Sequence, residues 1–112
     1  MRAITAYFLL SVFVLSVAPL HAKDGTDKDG TDMVRAGQKL FARYCAECHG
    51  VTGQGTDRAP ALQPYVKNSQ PAMLVSFIKN GKLRAGMPSW SRLPDQQLSQ
   101  IVAYLQVLAD SR

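Results

Sequence analysis

Hydrophobic and polar positions alternate along the 112-residue chain in four distinct regimes. Residues 4–20 are a continuous apolar run containing Phe8, Leu9, Leu10, Val12, Phe13, Val14 and Leu15, entered from Met1 and Arg2 and closed by Pro19, Leu20, His21 and Ala22. A positive start, an apolar middle and a small residue at the end form the pattern of a secretory signal peptide. Residues 1–22 are therefore read as a cleaved signal, with Lys23 as the first mature residue. The run is almost long enough to span a bilayer, so a retained anchor is the alternative; the helix-breaking proline and the terminal alanine favour cleavage.

Residues 23–32 read KDGTDKDGTD and contain no apolar side chain. Such a segment cannot offset the entropy of ordering by burial, so residues 23–31 are expected to form a flexible polar leader. Asp27, Asp29 and Gly30 match the opening of a calcium loop, but the glutamate that would close it is missing. Helical periodicity then sets in: with Asp32 as N-cap, Val34, Gly37, Leu40, Phe41 and Tyr44 share one face up to the first cysteine. Residues 50–68 are rich in Gly, Pro, Thr and Gln, without a sustained period, and read as loop. A second helix is expected from a Ser69 cap, with Pro71 in its first turn, Leu74, Phe77 and Ile78 on one face, and Asn80-Gly81 as its stop. Residues 81–93 form a second loop, after which Pro94 opens a helix carrying Leu98, Ile101, Val102, Leu105 and Leu108 at helical spacing.

This pattern predicts an all-α domain over residues 32–112, with three main helices and two long loops. Loops of that length are uncommon in so small a domain unless they wrap a ligand. Size points the same way, because a domain of this length buries a modest fraction of its surface and gains from a group that enlarges its core. Charge changes the picture little. The chain has 13 Lys and Arg against 8 Asp and Glu, and losing Arg2 with the signal leaves it mildly basic. No stretch interleaves basic residues with stacking aromatics, which argues against nucleic acid. A positive face for an acidic protein partner is the better reading.

The chemistry is concentrated in Cys45-Ala46-Glu47-Cys48-His49, a CxxCH sequence, which is the attachment signature of c-type haem. Two thiols separated by two residues can add to the two vinyl groups on one porphyrin edge, and the adjacent histidine is then brought beneath the iron. The rivals fall short on this chain's own residues. Structural zinc takes four protein ligands, whereas the chain has two Cys and two His, and His21 lies in the signal. A thioredoxin-type CxxC belongs near a βαβ pattern, and a simple structural disulfide, though compatible with export, leaves His49 and the loops unexplained. Met87, between Gly86 and Pro88, offers a soft thioether in a loop, whereas Met33 and Met73 fall on helices where packing roles are available.

Residues 32–108, through GQKLFARYCAECHG, APAL, GMPSW and IVAYL, resemble the single-haem bacterial cytochromes c with an N-terminal CxxCH and a C-terminal methionine ligand. The resemblance implies a small cytochrome c fold around one covalent haem c, with His49 and Met87 as the two axial ligands of the iron. It further implies that the Pro60 carbonyl accepts the other imidazole N–H, and that Arg58 and the Trp90 indole bond the haem propionates. The family's common Gly-Pro is Ala59-Pro60 here, a change that extended backbone accommodates. Gly37 and Tyr104 are expected to form a close crossing of the first and last helices, since a mid-helix glycine is costly without such a reason.

The function that follows is a monomeric, periplasmic one-electron carrier between a redox donor and acceptor, with no enzyme activity and no stable membrane insertion after signal cleavage. The alternative is a haem relay subunit of a larger oxidase or dehydrogenase. A haem enzyme or gas sensor needs an open distal position, against which Met87 argues.

Overall fold

The computed structural model describes residues 24–111, and their side chains from residue 28. The proposed signal and Lys23 lie outside the described residues. Helix α1 (Asp24–Tyr44) is followed by α2 (Ala46–His49), α3 (Gln63–Lys67), α4 (Pro71–Asn80), a single 3-10 turn (Leu83–Ala85) and α5 (Asp95–Asp110). Among the described residues there is no strand beyond one isolated bridge between Lys82 and Met87. The expected all-helical class is what the chain adopts.

The helical boundary expected at Asp32 is a correction: α1 begins eight residues earlier, at Asp24. A helix nucleated by a packed stretch propagates cheaply, because each added residue gains one hydrogen bond without a new nucleus. Residues 28–33 are all exposed, so this extension contributes no burial. The stretch that read as loop through Asn68 also contains α3, one turn closed by the Val66 N–H on the Leu62 carbonyl (3.0 Å) and by the Asn68 amide on the Pro64 carbonyl (2.7 Å). A single turn is too short to display a period. At α4 the N-cap is Gln70 in extended conformation, one residue beyond the expected Ser69.

The core is hydrocarbon throughout: Phe41, Val66, Leu74, Ile78, Leu98, Ile101, Val102, Tyr104, Leu105 and Ala109 are buried, with no buried polar or charged residue among those described. Helix α5 supplies six of these and packs against α1, α3 and α4, so it is the element on which the others are assembled. Gly37 permits the α1–α5 approach. A Cβ there would overlap the Gln100 carbonyl and lie 2.9 Å from the Tyr104 Cβ. One turn on, Phe41 meets Tyr104 with ring centroids 5.4 Å apart and planes tilted by 58°. Phe77, expected on the buried face of α4, is instead 43% exposed, while Leu74 and Ile78 alone are buried from that helix. A ten-residue helix against one neighbour buries only a narrow stripe. Among the described residues no helix is long and apolar enough to cross a membrane.

Candidate functional site

Chain direction changes at Cys45, where α1 ends and α2 begins. The Cys45 N–H still donates to the Phe41 carbonyl (2.9 Å), and the Cys45 carbonyl accepts from the N–H groups of both Cys48 (3.2 Å) and His49 (2.9 Å). This helical turn places Cys45 and Cys48 at i and i+3, on one face. Both thiols are free and half-buried. Partial burial, and secondarily the neighbouring Cys48, pushes the Cys45 thiol up to about 11. A catalytic dithiol lowers that value to make a thiolate, so the environment of Cys45 opposes disulfide exchange chemistry.

From Gly50 the chain turns back over α2. Three consecutive residues of the motif each hold one residue of this return segment. The Gly55 N–H donates to the His49 carbonyl (2.8 Å), the Thr56 hydroxyl donates to the Cys48 carbonyl, and the Arg58 guanidinium meets the Glu47 carboxylate at 3.1 Å. Pro60 is thereby delivered to the imidazole, and His49 Nδ1 lies 3.0 Å from the Pro60 carbonyl oxygen. A carbonyl can only accept, so Nδ1 carries the proton and a neutral ring keeps its lone pair on Nε2. Leu62 continues the loop, donating its N–H to the Gly53 carbonyl (2.9 Å).

Met87 is presented by a second device. Its N–H donates to the Lys82 carbonyl (3.1 Å) and its carbonyl accepts the Lys82 N–H (3.0 Å), closing a hook around the 3-10 turn. The hook is anchored to α4: Gly81, at φ 67°, lies so close to Pro88 that a Cβ would be 2.5 Å from its carbonyl oxygen. The Ser89 hydroxyl donates to the Lys79 carbonyl (2.7 Å), and the Trp90 N–H to the Ile78 carbonyl (3.2 Å). Met87 is half-buried against the core, together with Cys45, Ala46, Leu62 and Trp90. The packing roles expected of Met33 and Met73 are a correction, since both are exposed. Of the three described methionines, only the one in the loop points inward.

The remaining expected residues are placed less directly. The Trp90 ring packs against Tyr44 with centroids 4.9 Å apart and planes tilted by 48°, and the pair lines a crevice of about 550 Å³ with Ser89, Ser91, Arg92 and Leu93. Arg58, expected toward a propionate, has Glu47 as its partner here, with both side chains well exposed. Sequence reasoning missed Glu47, Thr56 and Tyr44. Glu47 is a variable position of the CxxCH motif, Tyr44 was read only as part of a helix face, and the link between Thr56 and Cys48 exists only once the loop has folded back.

A covalent haem fits these residues on three counts. Two free thiols stand on one face of a turn, an oriented imidazole follows them, and an inward thioether borders the same apolar core. No group of three or more His, Cys, Asp or Glu suited to a metal ion occurs among the described residues. The all-helical fold, the loops around an apolar core and the CxxCH turn are together those of a single-haem c-type cytochrome domain. The family described as cytochrome c oxidase, cbb3-type, subunit III, matches residues 32–105, and the chain belongs to that family.

Among curated relatives, cytochrome c6 of Cyanidium caldarium is 32% identical over 80 residues, covering 66% of this chain and 70% of that protein. The cbb3-type cytochrome c oxidase subunit CcoP of Rhodobacter capsulatus is 36% identical over 86 residues, covering 65% and 28% respectively. Quinohemoprotein alcohol dehydrogenase ADH-IIG of Pseudomonas putida is 30% identical over 73 residues, covering 64% of this chain and 10% of the enzyme. The chain thus spans about a third or less of the oxidase subunits it matches and a tenth of the dehydrogenase. No solved structure matches it.

Proposed function

We propose that this chain is a periplasmic one-electron carrier in which Cys45 and Cys48 bind haem c through thioethers and His49 and Met87 are the axial ligands. The observation that carries the reading is the commitment of His49 Nδ1 to the Pro60 carbonyl, which leaves Nε2 as the donor. When bound, the haem supplies a one-electron couple, and imidazole with thioether sets it toward higher potential than harder ligands would. The protein's part is to hold the imidazole in one tautomer, keep Met87 in its hook and surround the group with hydrocarbon. Thioether attachment suits an exported protein, since the cofactor cannot be lost outside the cell. With His49 and Met87 both engaged in holding it, the haem would keep no open coordination site for a substrate, so the reading is a carrier rather than an enzyme.

Partner choice follows from the basic residues beside the hook. Lys79 is paired with Asp95 at 2.9 Å, which removes it from the docking set. Lys82 stands over the Phe77 ring (5.3 Å), next to exposed Leu83 and Arg84, and Arg43 stands over the Tyr44 ring (5.2 Å). These are cations held over apolar surface, suited to an acidic face of a redox donor or acceptor. A second reading, a haem relay unit within a larger oxidase or dehydrogenase, is supported by the relatives in which the matching region is a minor part of the whole.

A spectroelectrochemical titration of the purified holoprotein tests the proposal. The account expects a single reversible one-electron wave and slow, weak binding of carbon monoxide to the reduced form. Rapid carbon monoxide binding by the wild-type protein would instead indicate an open distal site and a sensor or enzyme.

A further inference from the structure

We infer that Thr56 is a positioning residue that sets the hydrogen bond on His49 and, through it, the reduction potential. The inference rests on the proposed ligation by His49. The tethers between the motif and its return segment run antiparallel: Gly55 to His49, Thr56 to Cys48 and Arg58 to Glu47. They are unequal in strength. The Arg58–Glu47 pair has side chains 61% and 84% exposed, and ion pairs in that setting contribute little. The Gly55 tether is a backbone bond that no side chain alters. The Thr56 hydroxyl is the one whose removal can be made cleanly, and it is a junction: Oγ1 donates to the Cys48 carbonyl and accepts the Arg58 N–H (3.1 Å), while the Thr56 N–H donates to the Ala59 carbonyl (2.9 Å).

These three bonds fix residues 56–59 as a unit against the haem-binding turn. The next residue along the chain is Pro60, whose carbonyl receives His49 Nδ1–H at 3.0 Å. Proline cannot donate a backbone hydrogen bond of its own, so the position of its carbonyl is set by the residues before and after it. Loosening the 56–59 unit therefore weakens the bond to the imidazole. A ligating histidine is made more basic by such a bond, which strengthens its donation to the oxidised metal. Weakening it raises the reduction potential.

The test compares Thr56→Val, which keeps the shape and removes the hydroxyl, with Thr56→Ser, which retains it, in haem-loaded protein exported with its own signal. Two quantities are read: the reduction potential and the solvent exchange rate of His49 Nδ1–H by NMR. Loss of one hydrogen bond in the network is expected to speed that exchange about fivefold in Thr56→Val, as a net contribution near 1 kcal/mol implies. The potential is expected to rise in the same variant, and Thr56→Ser is expected to restore both to wild-type values. Unchanged potential and exchange in Thr56→Val, with His49 Nδ1–H still strongly paramagnetically shifted in the ferric protein, would overturn the role of Thr56 and leave His49 ligation intact. Absence of that shift in the wild type would overturn both. If Thr56→Val fails to take up haem, exchange in the wild type decides: a His49 Nδ1–H protected no better than an open imidazole contradicts the inference, and strong protection lost in Thr56→Ala supports it.

Discussion

Gly37→Ala adds one methyl group at the α1–α5 crossing, and the structure fixes its cost. The new Cβ would overlap the Gln100 carbonyl oxygen, sit 2.6 Å from its carbon and 2.9 Å from the Tyr104 Cβ. Ordinary contacts between carbons are about 3.5–4.0 Å, so the helices must separate by roughly 1 Å. No rotamer change relieves a clash with backbone. Overpacking of this kind costs about 1–3 kcal/mol, and the upper end applies because the displaced atoms belong to the helix that carries most of the core. Alanine returns about 1 kcal/mol of helix propensity, leaving a net loss near 2 kcal/mol. At about 4–8 °C per kcal/mol for a domain of this size, the melting temperature of the holoprotein, followed by far-UV circular dichroism, should fall by about 10 °C. The same substitution at Gly30, in the same helix, is the control: a Cβ there meets nothing within 4 Å. Gly30→Ala should therefore be neutral or raise the melting temperature by a few degrees. Equal effects from the two substitutions, or a stable Gly37→Ala protein, would refute the close crossing.

Other outcomes follow from the site. Single Cys45→Ala or Cys48→Ala variants should keep at most one covalent link to haem and the double variant none, as read by pyridine haemochrome spectra; protein lacking residues 1–22 should stay colourless in the cytoplasm. In the haem-free chain, a Cys45 thiol held up to about 11 is about one part in a thousand thiolate at pH 8, against about a tenth for a thiol at its ordinary value. Its alkylation should then lag that of the unfolded chain by about a hundredfold, a lag that shrinks as pH rises toward 11. Electron transfer with an acidic partner should slow as salt rises, since screening acts over about 8–10 Å, and Lys82→Glu should slow it further at low salt; rates flat across the titration would point to an apolar contact around Leu83.

The helices were legible because burial imposes a period. Val34, Gly37, Leu40, Phe41 and Tyr44 announce α1, and Leu98 through Leu108 announce α5. Where burial does not act, the sequence is silent: nothing in DGTDKDG signals the polar extension of α1 from Asp24, and the exposure of Phe77 depends on how far α5 reaches. Within the site, the CxxCH spacing is a covalent requirement and is therefore visible in one dimension. Met87 was singled out by its Gly-Met-Pro surroundings, and the structure places it in the backbone hook with Lys82. Thr56 and Glu47 were not, and Arg58 was named for a propionate rather than for Glu47, because these contacts pair residues eight to eleven apart across an irregular loop, and no repeat records that pairing.

The claim on which the whole account depends is that Met87 occupies the iron position opposite His49. Its most direct test is the weak far-red absorption that sulfur-to-iron charge transfer gives ferric haem, recorded for the wild type and for Met87→Ala. The account predicts the band in the wild type and its loss in Met87→Ala, with haem still covalently attached and carbon monoxide now binding readily to the reduced form. A wild-type protein without the band, or a Met87→Ala protein that retains it, would contradict the account.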